Sequence, residues 1–280
     1  MVKISKAIDM SCNILKETVE RPRMEAEILA AYVFGKTKLE LLTHKDDCVV
    51  EEMADKLNEL SLKRSSGMPL AYITGTKEFM SLEFCVNENV LIPRPETEEL
   101  AGLIIDIFKD KNIKLLDLCT GSGAICSSVA YYLKNSICHG VDVCPEAIDI
   151  AKFNAKKLGV SERTRFFVGD VLKTINIDEK YDVLVSNPPY IETDVIETLD
   201  VCVKDYEPRL ALDGGNDGLL FYRKIIKDAN KYIKPKGLLL FEIGYNQGDE
   251  IKKLLQKDFC NIKILKDLSG NDRIAYAVLG

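Results

Sequence analysis

The sequence predicts an α/β fold, a mostly parallel seven-stranded sheet with helices on both faces, preceded by a helical domain. Three observations predict it. From about residue 112, short apolar runs alternate with longer helical patterns, the mark of βαβ units. A glycine-rich turn follows the first of these runs. The last two runs are joined only by Lys266–Arg273, a link too short for a crossover and suited to an antiparallel pair.

Length and composition bound the problem. The chain has 280 residues, more than one small domain and fewer than three. Hydrophobic residues make up 46% and charged residues 29%, the balance of a globular rather than a disordered protein. No apolar run approaches the roughly 18 residues of a membrane span. The start MVKISKAIDM lacks the apolar core of a signal peptide, so neither a membrane partner nor export is expected. A net charge of −6 does not suit a generic binder of phosphate backbones. Nine cysteines include no C-x-x-C pair, and the histidines are only His44 and His139. Reduced thiols in a cytoplasmic protein, and no metal site, are the expectation.

Residues 1–75 form the expected helical domain. Ile4, Ile8, Leu15 and Val19 lie near helical spacing until Arg21-Pro22-Arg23 interrupts. Ala26, Leu29, Ala30 and Val33 mark a second stripe closed by Gly35, and Leu39–Leu42 with Met53, Leu57 and Leu60 continue it to Gly67-Met-Pro69. Eleven Lys/Arg against twelve Asp/Glu leave this stretch a net charge of −1, unlike a dedicated DNA-binding domain and closer to a docking or lid module for a protein partner. Residues 76–92 read as a β-hairpin linker. Phe79, Leu82, Phe84 and Val86 lie on one side of Asn87-Glu-Asn89, and Val90–Ile92 on the other. The third part, 93–280, opens with Pro95 followed by Glu96, Glu98 and Glu99, a helix start. Strands are predicted over 114–118, 137–141, 165–168, 181–186, 238–243, 262–265 and 274–278. Helices are predicted over 124–133, 145–158, 218–233 and 247–255, the third stopped by Pro235-Lys-Gly237.

Asp117-Leu-Cys-Thr-Gly-Ser-Gly123 carries a strand through a sharp turn into a helix. Glycines there let the backbone of Cys119, Thr120, Gly121, Ser122 and Gly123 approach a ligand at the carboxyl end of the strand. The loop alone leaves nicotinamide dinucleotides, flavins and S-adenosyl-L-methionine open, although Gly121-Ser-Gly-Ala-Ile-Cys126 lacks the third glycine of the dinucleotide fingerprint. Asp142 ends the second strand about 20 residues on, where a carboxylate accepts from both ribose hydroxyls; as a plain structural residue it would cap the helix at Pro145. Asp170, beside Val171, lies beyond the third strand, where an acid can bind an adenine amino group or cap the next segment. Three ligand positions at successive strand ends fit one adenosine lying across the sheet. They favour an adenosylmethionine-type nucleotide over a pyrophosphate, which needs more exposed helix amides.

Asn187-Pro-Pro-Tyr190 is the most specific signal in the chain. It follows strand 181–186 directly, at the same sheet edge as the first motif. Pro188 and Pro189 stiffen the backbone and remove two amide donors, leaving carbonyl acceptors. The side-chain oxygen of Asn187 adds an acceptor and Tyr190 a flat face. Such a corner suits a planar NH2 group conjugated to a carbonyl or a ring, whose delocalised lone pair makes a poor nucleophile. Holding both N–H groups lets the nitrogen pyramidalise toward an electrophilic methyl, for which a sulfonium supplies the leaving group.

With these residues in view, the chain resembles the amino-methyltransferases that carry an Asn-Pro-Pro-Tyr-type motif, and most closely the bacterial release-factor glutamine methyltransferases. The resemblance spans nearly the whole chain. It rests on Pro22-Arg-Met-Glu-Ala-Glu27, Pro69-Leu-Ala-Tyr-Ile-Thr-Gly75, Glu78-Phe79, Asp117–Gly123, Asn187–Tyr190 and Glu207-Pro-Arg-Leu-Ala-Leu212. Leu91-Ile-Pro-Arg-Pro-Glu-Thr-Glu98 is the discriminating piece. The resemblance implies a Rossmann-like class I methyltransferase domain that uses S-adenosyl-L-methionine and releases S-adenosyl-L-homocysteine. It implies methyl transfer to the glutamine of the Gly-Gly-Gln loop of class 1 peptide chain release factors, docked by the N-terminal domain. Cofactor contacts are then expected at Cys119, Thr120, Gly121, Ser122, Gly123, Asp142, Asp170, Val171 and Asn187, and glutamine contacts at Asn187, Pro188, Pro189 and Tyr190. Cys119 stands where many relatives have glycine, and Val171 where some have an aromatic ring.

Methylation of adenine N6 in DNA or RNA is the alternative, and the acidic charge counts against it. A catalytically silent adenosylmethionine-binding module is a third reading, against which the intact Asn187–Tyr190 corner speaks. The chain is expected to act as a monomer, without direct nucleic-acid contact. Arg94, Glu96 and Glu98 read as a helix cap or a gate, and Glu207–Leu210 as a loop over the acceptor or as turn chemistry.

Overall fold

The computed structural model describes residues 1–173 and 177–280. These fall into two units, Met1–Gly75 with Asp200–Tyr206, and Thr76–Leu199 with Glu207–Gly280. In the first, a two-residue strand β1 (Val2–Lys3) precedes α1 (Ile4–Leu15), whose apolar face buries Ile4, Ala7, Ile8 and Leu15. Helix α2 (Pro22–Phe34) starts on Pro22 and ends at the left-handed Gly35. A capping box between Thr37 and Glu40 starts α3 (Lys38–Thr43). Strand β2 (Cys48–Val49) pairs with β1, and α4 (Glu51–Ser65) and α5 (Leu70–Thr74) complete the unit. Glu25, within the Pro22–Glu27 motif, receives both Arg64 Nε at 2.5 Å and Nη2 at 3.2 Å, so that motif braces α2 against α4.

The units depart from the expected three-part division in two respects. Asp200–Tyr206 groups with the helical unit, where Tyr206 donates to the Ser66 carbonyl at 3.3 Å and a Cβ on Gly67 would lie 2.7 Å from Val201. The hairpin belongs to the sheet-bearing unit, and its position is also corrected. Strands β3 (Thr76–Phe79) and β4 (Leu82–Cys85) turn at Met80-Ser81, with φ of 54° and 57°, and not at Asn87–Asn89. A tight turn with two positive φ values ordinarily carries Gly or Asn. Here distant partners hold it: the Met80 amide donates to Glu98 at 2.9 Å and its carbonyl accepts from Tyr132 at 2.6 Å. Asn87 instead closes a local turn onto the Asn89 amide, and 90–92 is loop.

The second unit continues with α6 (Pro95–Ile107), β5 (Ile113–Leu118), α7 (Ala124–Tyr132), β6 (Ser136–Asp142), α8 (Pro145–Lys157), β7 (Thr164–Val168) and β8 (Tyr181–Ser186). After the short α9 (Val201–Lys204), which belongs to the first unit, come α10 (Leu220–Tyr232), β9 (Ile233–Glu242), α11 (Gly248–Leu255), β10 (Phe259–Lys266) and β11 (Asp272–Leu279). The seven strands lie in the order β10-β11-β9-β8-β5-β6-β7, with β11 antiparallel to both neighbours. Pro235-Lys-Gly237 does not separate helix from strand as expected. It bulges inside β9, between the pairs Tyr181–Ile233 and Val183–Leu238, with Lys236 at φ 63°.

Burial on both faces follows the pleat. Leu115, Val183, Val185 and Leu240 pack on the side of α6, α7 and α8, whereas Leu116, Leu184, Leu239 and Phe241 pack on the side of α10 and α11. The chain winds outward through β5, β6 and β7, then returns to set β8 on the other side of β5. The carboxyl ends of β5 and β8 therefore flank the switch point where open α/β sheets bind ligands. Among the described residues no helix is long and apolar enough to cross a membrane.

Candidate active site

The loop after β5 takes positive φ at Cys119 (61°), Gly121 (54°) and Gly123 (76°). The two glycines serve different ends. A Cβ on Gly123 would lie 3.0 Å from the Ala151 Cβ and 3.2 Å from Phe166, so glycine here lets α7 begin against α8. A Cβ on Gly121 would meet no atom of the described residues within 4 Å, and the bare backbone there borders a cavity. Cys119 adopts its left-handed angle with a side chain in place, at a cost of roughly 1–2 kcal/mol. The Thr120 hydroxyl donates to Asp117 Oδ2 at 2.5 Å. Asp117 is wholly buried beneath the loop, and burial pushes its carboxyl up to about 7 against that hydrogen bond.

Asp142 closes β6 and braces the same loop. Its Oδ2 accepts from the Gly121 amide at 2.8 Å and its Oδ1 from the Cys144 amide at 3.0 Å. The second contact closes a local turn just before α8 and does not cap that helix, whose N-cap is Cys144 without a side-chain cap hydrogen bond; the first reaches across to the 119–123 turn. Burial raises this carboxyl above its ordinary value, while the amides of Cys144, Gly121 and Val143 pull it back. Asp170 closes a local turn onto the Leu172 amide at 2.9 Å and pairs with Lys173 at 3.2 Å. Val171 beside it is buried and apolar.

These residues border one cavity of about 380 Å³ at the switch point, within the range of small-molecule sites. Of the residues singled out in the sequence, Cys119, Thr120, Gly121, Ser122, Asp142, Asp170, Val171, Asn187 and Pro189 line it. Gly123, Pro188 and Tyr190 do not. Val90 and Leu91, read above as part of a strand, contribute apolar wall, as do Val143 and Phe221. Arg94 lines the cavity while bonded to the buried Glu207, which also accepts from the Ile92 amide at 3.2 Å. Glu207 thus ties down the Ile-Pro-Arg segment, and Pro208 and Leu210 after it form part of the wall.

The Asn187–Tyr190 corner is held by groups distant in sequence, of which Thr97 also borders the cavity. Ser186 donates to the Leu118 carbonyl at 2.6 Å, joining the ends of β8 and β5. Asn187 Nδ2 donates to Thr97 Oγ1 at 3.1 Å, and Thr97 donates to Glu242 Oε2 at 2.6 Å. The Tyr190 hydroxyl points inward, donating to Glu242 Oε1 at 3.4 Å, so Tyr190 is part of this buried network rather than a face of the cavity. Burial, and then the nearby Glu242, raise the Tyr190 hydroxyl well above the usual phenol range. Gln247 Nε2 donates to the Tyr190 carbonyl at 3.0 Å. A Cβ on Gly214 would fall 2.7 Å from the Tyr190 Cα and 2.9 Å from the Pro189 carbonyl oxygen, so only glycine lets that loop back the corner. Sequence reasoning missed Thr97, Glu242, Gln247 and Gly214. One signal was present: Glu242 is a lone carboxylate inside the apolar run Leu238–Ile243.

A doubly wound sheet whose switch-point cavity lies between a glycine turn and an Asn-Pro-Pro-Tyr corner defines a class I methyltransferase domain, with S-adenosyl-L-methionine as methyl donor. Residues 109–273 match the family model described as methyltransferase domain, and residues 6–75 that of the PrmC N-terminal domain. Among solved structures, the hMettl16 catalytic domain shares this fold at a TM-score of 0.58 and 15% identity, covering 79% of this chain and 82% of that one. A methyltransferase from Pyrococcus furiosus does so at 0.53 and 19%, covering 71% and 89%. The release factor glutamine methyltransferase of Clostridium acetobutylicum is 40% identical over 283 residues, 100% of this chain and 99% of the relative. That of Bacillus cereus is 37% identical over 283 residues, 99% of each. The chain belongs to the release factor glutamine methyltransferase family.

Proposed function

We propose that this chain transfers the methyl group of S-adenosyl-L-methionine to the side-chain amide nitrogen, N5, of the glutamine in the Gly-Gly-Gln motif of class 1 peptide chain release factors. The observation that carries this reading is the bonding of Asn187. Its Nδ2 is engaged by Thr97, so its Oδ1 is left to accept an N–H from an incoming carboxamide. The residues present fit the methyl donor: Gly121 leaves room that a Cβ would fill, and Asp142 sets a carboxylate on the cavity wall for a ribose hydroxyl. Asp170 and Val171 would receive the adenine, and Cys119–Gly123 would run beneath the methionyl part. When bound, the donor supplies an electrophilic methyl on a sulfonium.

The chain's own part is to bind and to orient. Asn187 Oδ1 and a carbonyl of the Pro188-Pro189 pair each take one N–H of the glutamine amide. That hold turns the nitrogen lone pair out of conjugation and toward the methyl, and the prolines deny the corner any amide that would compete. Val90, Leu91 and Phe221 line the cavity and would shield the acceptor nitrogen from bulk water. The helical unit, near neutral in charge, takes the release factor. On this reading the chain works as a monomer in the cytoplasm, where termination occurs, without direct nucleic-acid contact. The test is mass spectrometry of a release factor incubated with this protein and S-adenosyl-L-methionine, beside DNA and RNA controls. One added methyl on the motif glutamine is expected; methyl on nucleic acid alone would reject the proposal.

A further inference from the structure

An asparagine amide is nearly symmetric in shape and opposite in chemistry at its two ends. Reversed, Asn187 would present NH2 to the NH2 of the acceptor, donor to donor. The hydroxyl of Thr97 lies between Asn187 Nδ2 at 3.1 Å and Glu242 Oε2 at 2.6 Å. Thr97 has one hydrogen to give, and an ionised Glu242 has none. That hydrogen therefore goes to Glu242, and Thr97 can only accept from residue 187. Only one orientation of the Asn187 amide satisfies this, the one that leaves Oδ1 for the acceptor.

We propose that Glu242, buried at the end of β9, is a positioning residue that fixes the orientation of Asn187 through Thr97 and anchors Tyr190 through its second oxygen. The proposal rests on the assignment of Asn187 to the acceptor amide. Glu242 is 2% exposed and Thr97 5%, so water does not complete the chain in their place. The groups facing Glu242 are Arg273 of β11, whose charge favours the carboxylate, Glu96 of α6, which disfavours it, the hydroxyl of Tyr190, and Tyr222 of α10, which donates to the Glu242 carbonyl at 2.8 Å. Burial dominates and lifts this carboxyl to about 6. A protonated Glu242 can donate to Thr97, which frees the Thr97 hydrogen and removes the constraint on residue 187. Activity should therefore fall as pH drops through that value.

The test compares wild type with Thr97→Val, Thr97→Ser and Glu242→Gln. Thr97→Val should lower kcat about 10- to 100-fold, with the Kd of S-adenosyl-L-methionine within about twofold of wild type, the scale of a misplaced catalytic contact. Thr97→Ser, which restores the hydroxyl, should recover most of the loss. Glu242→Gln should lack the acidic limb of the wild-type pH profile. In the free protein, the Asn187 side-chain amide resonances, assigned by their loss in Asn187→Ala, should titrate in wild type and not in Glu242→Gln. Equal losses in the valine and serine variants, or amide resonances that titrate alike with Gln at 242, would overturn the proposal. The resonance measurement needs no substrate. A wild type that leaves release factors unmethylated would sink the functional reading, and with it the acceptor role of Asn187, while the resonance titration would still report whether Glu242 sets the orientation of that amide.

Discussion

The two corners at the carboxyl edge of the sheet are built in opposite ways. The 119–123 turn is held by main chain and by near neighbours: the Thr120 amide donates to the Val141 carbonyl, Gly123 to Thr120, and Gly121 to Asp142. The 187–190 corner has lost two amides to proline and is held by side chains distant in sequence, Thr97 at a separation of 90 and Gln247 at 57. Beneath each corner a threonine hydroxyl meets a buried carboxylate. Asp117 and Thr120 are three residues apart, whereas Thr97 and Glu242 are 145 apart. The turn proposed to cradle the methyl donor is thus largely local, and the corner proposed to orient the acceptor exists only when the whole sheet is assembled. Damage to the first should alter affinity for the donor; damage to the second should alter rate.

The sharpest way to break this comparison is Asn187→Ala. It removes the acceptor proposed for the glutamine N–H, and turnover should fall about 100- to 1000-fold, as when a preorganised hydrogen bond to a reacting group is lost. Affinity for S-adenosyl-L-methionine, read by calorimetry, should change only a few-fold. A large loss of affinity would merge the two corners into one. Asp142→Ala is the complementary cut. Hydrogen bonds to a charged group contribute about 1.5–3 kcal/mol, so donor affinity should drop about 10- to 100-fold while kcat at saturation stays near wild type. An unchanged Kd would remove Asp142 from the donor site.

The same contrast explains what was legible. Strand–helix alternation announces the seven strands within a residue or two at most ends, because both faces of the sheet are buried and demand apolar runs. The 119–123 turn is legible because its partners lie close by: Asp142 lies 21 residues from Gly121, at the end of the next strand. The acceptor corner is legible as a motif and illegible as a mechanism. Nothing local says that Tyr190 turns inward to Glu242, or that Thr97 works through its hydroxyl rather than as one letter of a helix start. The hairpin failed for a related reason. Met80-Ser81 has no turn chemistry of its own and is held by Glu98 and Tyr132. Asn87-Glu-Asn89 has that chemistry and spends it on a local turn.

Gly214→Ala sharpens the contrast with a smaller effect. The added Cβ presses on the main chain of Pro189 and Tyr190, at 2.9 and 2.7 Å, where no flexible side chain can yield. Overpacking of this kind costs about 1–3 kcal/mol. Turnover should fall about tenfold, with donor affinity again nearly intact, and thermal unfolding should shift down by a few degrees. Equal loss of affinity and rate would show that strain passes from one corner to the other.

The smallest effect concerns the carboxylate under the cofactor turn. Burial raises Asp117 to about 7 in the folded protein from an ordinary value of 3.8. Folding therefore favours its protonated form. The stability this contributes is fully present below the unfolded value and is lost as pH rises through the folded one. Between pH 6 and pH 8 the loss should be about 1 kcal/mol, a shift of about 2–4 °C in the unfolding of a domain this size. Glu242, also raised, adds a loss of the same sign, and His139, lowered by burial, adds the opposite one. Both persist in Asp117→Asn, so the difference between the two proteins isolates residue 117. The variant keeps an acceptor for Thr120 and has no proton to lose, and its stability should be flatter with pH by that amount. Parallel curves for wild type and variant would mean that Asp117 keeps a constant charge state across this window, and that the resemblance between the two buried carboxylates is one of geometry alone.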